Sequence, residues 1–285
     1  AIYFFFLLSF FLFVVKIFFV GRGFSFVYII TSFLIIIYFF YLSWGINYFR
    51  LPLYLGEINK NENVEKKIES LTRFFSYRCN DLKTKIKSTK NSNKTDYLSS
   101  YKNLINTKSK KFKYSNLSLI LSYMGIKGYF NPFTNEAIVN YQIPKILIPI
   151  TIYHELAHKE GYALESDANF IGFLNAFNNN NIEIQYSASF FAFRYLYREL
   201  YKINPTRAKD LYKLLTNEVK SDILNVKEFW KAHTNRLQKI SVNIFDLFLK
   251  TQGQDKGIKS YNVVVKHLLF AFDGEENFII DGINQ

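Results

Sequence analysis

Cysteine is almost missing from this chain. One residue, Cys79, among 285 excludes an internal disulfide framework and any zinc cluster built on thiolates. Histidine is scarce as well: there are four, and two of them, His154 and His158, stand one helical turn apart. Charge is nearly absent from the N-terminal stretch, where residues 1–20 carry only Lys16 and residues 24–43 carry none. Arginine-rich and aromatic-interleaved basic motifs are also lacking, although the net charge is +13. The lysines are scattered over residues 60–113 and 202–266, amid heavy use of Asn, Ile, Phe and Tyr. That pattern reads as solvated helix faces, so no nucleic-acid partner is expected. No repeat of fixed period is present.

What the chain does have is hydrocarbon. A bilayer core of about 30 Å takes roughly 20 apolar residues as helix. Residues 1–20, AIYFFFLLSFFLFVVKIFFV, and 24–43, FSFVYIITSFLIIIYFFYLS, each meet that length, with GRG between them as a tight hairpin. The expectation is two transmembrane helices. The first segment is expected to be a span rather than a signal peptide, since it lacks a basic start and a small-residue cleavage site and its apolar run is too long. The chain begins at Ala1 without an initiator Met, which predicts a further segment upstream. After the second span, Trp44, Tyr48 and Arg50 are placed as an interfacial belt. The expected divisions are 1–45 as a transmembrane hairpin, 46–117 as a helical connector and 118–285 as the chemistry-bearing domain.

Pro52 and Gly56 break the chain after the belt, and Val64, Ile68, Leu71 and Phe75 then recur at spacings of three and four, predicting an amphipathic helix. Residues 89–97 are a polar loop. From 118 to 150 the sequence is interrupted by Gly125, Gly128, Pro132, Pro144 and Pro149, while EAIVNY at 136–141 alternates and is rich in strand formers. A short strand or hairpin is expected there. It is either a substrate-binding edge strand or an ordinary hairpin covering the core. Beyond residue 163 the chain is mainly helical, with a loop at the asparagine run 178–181.

The segment TIYHELAHKEGYALESDANFIGFL, residues 151–174, carries the chemistry. Residues four apart on a helix share a face, so His154 and His158 can direct both imidazoles at one cation. Glu155, rotated by roughly 100° from the first histidine, is placed to act as general base on a water at the open coordination position. Ile150, Ile152, Tyr153, Leu156 and Ala157 make this helix largely buried, where an uncompensated histidine pair and glutamate would be costly. Gly161 suits a left-handed cap that turns the chain back toward the site. Glu165 is the expected third ligand, with Asp167 as the alternative. ESDAN is similar to zinc peptidases of the glutamate-ligand type, in which a residue four positions on, here Asn169, braces a ligand histidine. HExxHxxG also begins the metzincin signature, but its third-ligand position is Leu164, which cannot bind zinc. His233 and His267 are expected to be structural; His233 or Tyr186 would be the candidate for an oxyanion contact.

Taken together, WGINYFR, NPFTNEAIVN, HELAHKEGYALESDANF and DLFLKTQGQDKGIKSYNVVV resemble an uncharacterised bacterial family of membrane-anchored, zinc-peptidase-like proteins, over about residues 30–272. The resemblance implies a multi-pass anchor, usually with one more N-terminal helix, and a catalytic-looking domain on the outer, periplasmic face of the inner membrane. It implies no substrate. The expectation is therefore a mainly α membrane protein with two N-terminal transmembrane helices and a mostly helical zincin-like domain bearing a small β-hairpin or edge strand. It would be a zinc metallopeptidase holding Zn2+ through His154, His158 and Glu165, with the lipid bilayer and a peptide or protein substrate as partners. The alternative is a structural or assembly subunit of a membrane complex whose metal only holds the fold.

Overall fold

The computed structural model describes residues 22–53, 64–89, 97–105, 111–252 and 263–272. Helix α1 (Arg22–Ser43) leads through a 3-10 turn (Gly45–Phe49) toward α2 (Val64–Thr89), α3 (Tyr97–Ile105) and strand β1 (Phe112–Tyr114). Then come α4 (Ser118–Tyr123), β2 (Gly128–Asn131), β3 (Glu136–Val139) and two successive helices, α5 (Ile148–Lys159) and α6 (Glu165–Phe177). Helices α7 (Ile182–Ile203), α8 (Pro205–Lys213), α9 (Asn217–Ala232), α10 (Arg236–Thr251) and α11 (Val263–Ala271) follow.

The core is helical and is set by spacing. On α2, Ile68, Leu71, Phe75, Cys79 and Leu82 are all buried, forming one stripe that packs against α7. Helix α7 answers with Phe190, Phe193, Leu196 and Leu200, while Phe170 and Phe173 of α6 fill the space between. The ring of Phe75 lies 5.9 Å from that of Phe173. Each such phenylalanine contributes about 1.5–3 kcal/mol by leaving water. The asparagine run starts α7: Asn181 caps it by accepting from the Glu183 and Ile184 amides. Helix α11 packs on α6 and α7.

The sheet has the order β1-β3-β2. β2 and β3 form the expected hairpin, with Gly128 opposite Val139 and Asn131 opposite Glu136. Its turn is held by the Asn131 carboxamide oxygen, which accepts from the Phe133 amide at 3.1 Å, and by Asn135 at φ 53°, a left-handed position asparagine tolerates. β1 pairs parallel to β3, so β3 is the middle strand. Of the two alternatives for this stretch, the substrate edge is thereby corrected: residues 136–139 are hydrogen-bonded on both sides, by β1 and β2, and the edge strand next to α5 is β2.

The expectation of two membrane-spanning helices is also corrected. Residues 1–20 lie outside the described residues. The second run coincides with α1, but among the described residues no helix is long and apolar enough to cross a membrane. Near the C-terminal end of this apolar run, Phe40 and Tyr41 make contacts with the rest of the protein, while Tyr38, Phe39 and Leu42 are exposed. Phe40 packs 6.4 Å from the rings of both Phe133 and Phe248, and the Tyr41 hydroxyl donates to Gln252 Oε1 at 3.0 Å. The intended interfacial belt docks onto the domain too, since the Trp44 indole donates to the His158 carbonyl at 3.0 Å and Arg50 donates to the Gly161 carbonyl at 3.1 Å.

Candidate metal centre

Helix α5 carries His154, Glu155 and His158. Pro149 sits in its first turn, where a missing N–H costs no helical hydrogen bond, and the Ile150 amide is satisfied by Ser187 Oγ at 3.1 Å. The helix stops at Gly161, whose φ of 92° is open to glycine and strained for other residues. The Tyr162 amide then returns to the Ala157 carbonyl at 3.1 Å. This reversal brings the next helix alongside, as the cap predicted from the sequence requires.

Helix α6 approaches α5 very closely at Gly172. A Cβ there would lie 2.9 Å from the His154 backbone nitrogen and 3.0 Å from its Cα. The absence of a side chain at Gly172 lets the first turn of α6 place Glu165 opposite both histidines. His154 Nε2 lies 3.4 Å from Glu165 Oε2, and His158 Nε2 lies 3.4 Å from Glu165 Oε1. One donor atom from each of the three residues falls within 4.8 Å of the others.

The donor set fits a small divalent ion. For bonds of 2.0–2.1 Å, a tetrahedral ion holds its ligand atoms about 3.3 Å apart, close to the separation between each histidine nitrogen and the carboxylate. His158 Nδ1 faces the Tyr162 carbonyl at 2.7 Å. That contact assigns the proton to Nδ1 and leaves the Nε2 lone pair turned toward Glu165. In the metal-free protein, burial would pull His158 down, but the charge of Glu165 and its hydrogen bond outweigh it and raise the group to about 9. Burial likewise opposes ionisation of Glu165, yet His158 and His154 hold its carboxyl far below the ordinary range. Burial lowers His154, against the pull of Glu165.

Glu155 is buried on the same helix, and desolvation pushes its carboxyl up to about 8 despite the opposing charge of His158. Its side chain fits against β2 because residue 128 is glycine: a Cβ at that position would stand 2.8 Å from Glu155 Oε1 and 2.9 Å from the Ile138 carbonyl. The His154 side chain, 17% exposed against 9% for His158 and Glu165, marks the side of the cluster that opens to solvent.

The remaining predicted residues lie elsewhere. Asn169 does not brace a histidine; it donates to the backbone carbonyl of Glu165 at 2.7 Å, and His154 Nδ1 is buried without a partner. Asp167 turns away, accepting from the Leu53 amide at 3.0 Å and from Ser166 Oγ at 3.1 Å. His267 is a core histidine beside Phe170, with its rings 5.2 Å apart. Neither oxyanion candidate reaches the cluster. Tyr186 donates to Asp222 at 2.6 Å, and His233 caps α9, its Nδ1 2.8 Å from the Phe229 carbonyl. Conversely, Trp44 and Tyr48, taken from the sequence as membrane-interface residues, adjoin the centre. The Trp44 ring lies 6.2 Å from that of His158, and burial together with the nearby Glu165 charge raises the Tyr48 hydroxyl. Aromatic and basic residues after an apolar run signal an amphipathic boundary, and a protein groove satisfies that signal as well as a headgroup layer does.

A family model described as "Protein of unknown function (DUF3810)" matches residues 1–269. No curated protein and no solved structure matches the chain.

Proposed function

Because the chain belongs to that family, whose description assigns no activity, we propose from its own residues that it is a zinc-dependent hydrolase of peptide bonds. The observation carrying this reading is the convergence of one donor atom each from His154, His158 and Glu165 within 4.8 Å, with Glu155 on the same buried helix. His154, His158 and Glu165 would hold the ion, which when bound supplies Lewis-acid polarisation of a carbonyl and acidifies water. Glu155 accepts a proton from the attacking water and delivers it to the departing amine, as a carboxyl with a pKa lifted toward neutrality can do in both directions. Gly128 gives Glu155 the room to make both transfers. His158 is held in its ring orientation by the Tyr162 carbonyl, and the Trp44 indole fixes the backbone of that same residue. A substrate strand would lie along β2, the sheet edge that passes Glu155.

The test separates binding from chemistry. Purified protein should contain one zinc per chain, His158→Ala should lose it, and Glu155→Gln should keep the zinc while abolishing cleavage of a peptide library. Zinc retained in all variants, or cleavage unaffected by Glu155→Gln, would refute the assignment. A fourth coordination position filled by a protein side chain would instead favour a purely structural ion.

A further inference from the structure

Helix α7 carries Arg194, Arg198 and Lys202 at a spacing of four, which stacks three cations along one face. Like charges in that register repel, so the local energetics of the helix disfavour the arrangement. Lys202 is relieved by Glu199, to which it donates at 2.6 Å. Among the described residues, neither arginine has an ion pair with a carboxylate. Arg194 is half-buried, its guanidinium 5.7 Å from the centre of the Phe190 ring. Burial lowers that group, and the Arg198 charge works in the same direction.

All three cations line one cavity of about 300 Å3, whose walls also include Tyr197 and Tyr201 of α7, Tyr212 of α8 and Ile223 of α9. The rings form a continuous surface: that of Tyr197 lies 5.6 Å from Phe193, 6.1 Å from Tyr201 and 5.8 Å from Tyr212. A fourth cation, Lys220, stands 5.9 Å over the Tyr212 ring. The volume is at the lower end for a ligand site and holds one ring with its head group. An aromatic wall beside a row of cations is complementary to a molecule with an aromatic body and an anionic end. The body would pack against the tyrosines, and a guanidinium fork donates two parallel hydrogen bonds to a carboxylate. A carboxylate carries a single charge, so bringing it against this wall costs less desolvation than a doubly charged phosphate does.

We propose that the cavity between α7, α8 and α9 binds a small aromatic carboxylate, its head on Arg194 and Arg198 and its ring against Tyr197, Tyr201 and Tyr212. The assignment goes beyond the hydrolase reading and requires neither it nor a metal, because every residue in it lines the cavity itself. The carboxylate has two sources, a free aromatic acid or the C-terminal residue of a peptide whose preceding residues extend into solvent.

The test is calorimetric titration of the full chain with 3-phenylpropanoate, N-acetylglycylphenylalanine, 3-phenylpropanamide, acetate and phenyl phosphate. At least one of the two aromatic acids should bind saturably at one per chain, about tenfold or more tightly than the neutral amide, the size of one charge-assisted hydrogen bond. It should exceed acetate, which lacks the ring, by a similar factor. Tighter binding of the peptide assigns a chain terminus, and equal or weaker binding of the peptide assigns a free acid. Arg198→Gln, at an exposed position, should remove most of the preference for acid over amide. Tyr201→Ser, also exposed, should weaken acid and amide alike severalfold. No saturable binding of either acid, equal binding of acid and amide, acetate binding as tightly as the acids, or tighter binding of phenyl phosphate overturns the proposal. So does a preference undiminished in Arg198→Gln or an affinity unchanged in Tyr201→Ser.

Discussion

Gly172→Ala tests whether the approach of α6 to α5 is what assembles the centre. The added methyl would meet the His154 nitrogen at 2.9 Å, its Cα at 3.0 Å and the Tyr153 carbonyl carbon at 3.1 Å. All three are backbone atoms of a buried helix, so no rotamer change relieves the contact and the two helices must separate. Overpacking of this kind costs about 1–3 kcal/mol, and the rigid neighbours argue for the upper end. Alanine regains about 1 kcal/mol of helix propensity over glycine. The net expectation is a loss of about 2 kcal/mol, seen as a fall of several degrees in Tm in the metal-free protein. Separation of the helices by a few tenths of an ångström also opens the 3.4 Å contacts between Glu165 and the histidines. Zinc affinity should drop by about tenfold or more, as when a residue supporting a ligand is lost. Chemical unfolding and chelator competition measure the two effects separately. A variant within about 0.5 kcal/mol of wild type with unchanged zinc affinity would refute the reasoning.

Zinc uptake at pH 7 should release between one and two protons per ion, because His158, raised to about 9 in the metal-free protein, must be neutral to ligate, and Glu155, raised to about 8 there, must lose its proton to serve as base. Affinity should therefore climb with pH up to about 9 and then level, and a pH-independent affinity measured across buffers of different ionisation enthalpy would contradict this. Trp44→Phe removes the indole donor to the His158 carbonyl; it should cost about 1 kcal/mol of stability while zinc stoichiometry stays at one, and an unchanged unfolding midpoint would contradict the docking of this residue. Cys79 is fully buried, and burial pushes its thiol well above the usual range; it should remain unmodified by an aromatic disulfide reagent until the chain unfolds, and rapid labelling of native protein would place it wrongly.

The helix bearing the histidines was legible because its signals are local: a turn of spacing between ligands, an apolar flank and a glycine at the cap. The choice of Glu165 over Asp167 rests on the likeness of ESDAN to glutamate-ligand zinc peptidases, and it is Glu165, the first residue of the next helix, that lies opposite both histidines. The hairpin was legible in the alternation of residues 136–139 and the turn before it. What stayed hidden depends on distant partners. Residues 112–114 offer no strand pattern long enough to show that they pair with β3, and that pairing turned a supposed edge into the middle of the sheet. Hydropathy also could not say what the end of the apolar run touches. Phe40, Tyr41 and Trp44 satisfy their aromatic and polar parts against Phe248, Gln252 and His158, which a composition window cannot distinguish from a lipid boundary. Asn169 sits at the spacing expected of a brace, yet the helix geometry directs its carboxamide to the carbonyl four residues back, a local bond always within reach.

The central claim is that two imidazoles and one carboxylate meet around a cation with a coordination position left for solvent. X-ray absorption at the zinc edge, on protein whose metal content has been counted, addresses it most directly. The account predicts one zinc per chain bound by two histidine nitrogens at about 2.0 Å and two oxygens, with one oxygen lost in Glu165→Ala. A substoichiometric metal content, or a shell unaltered by Glu165→Ala, would contradict it.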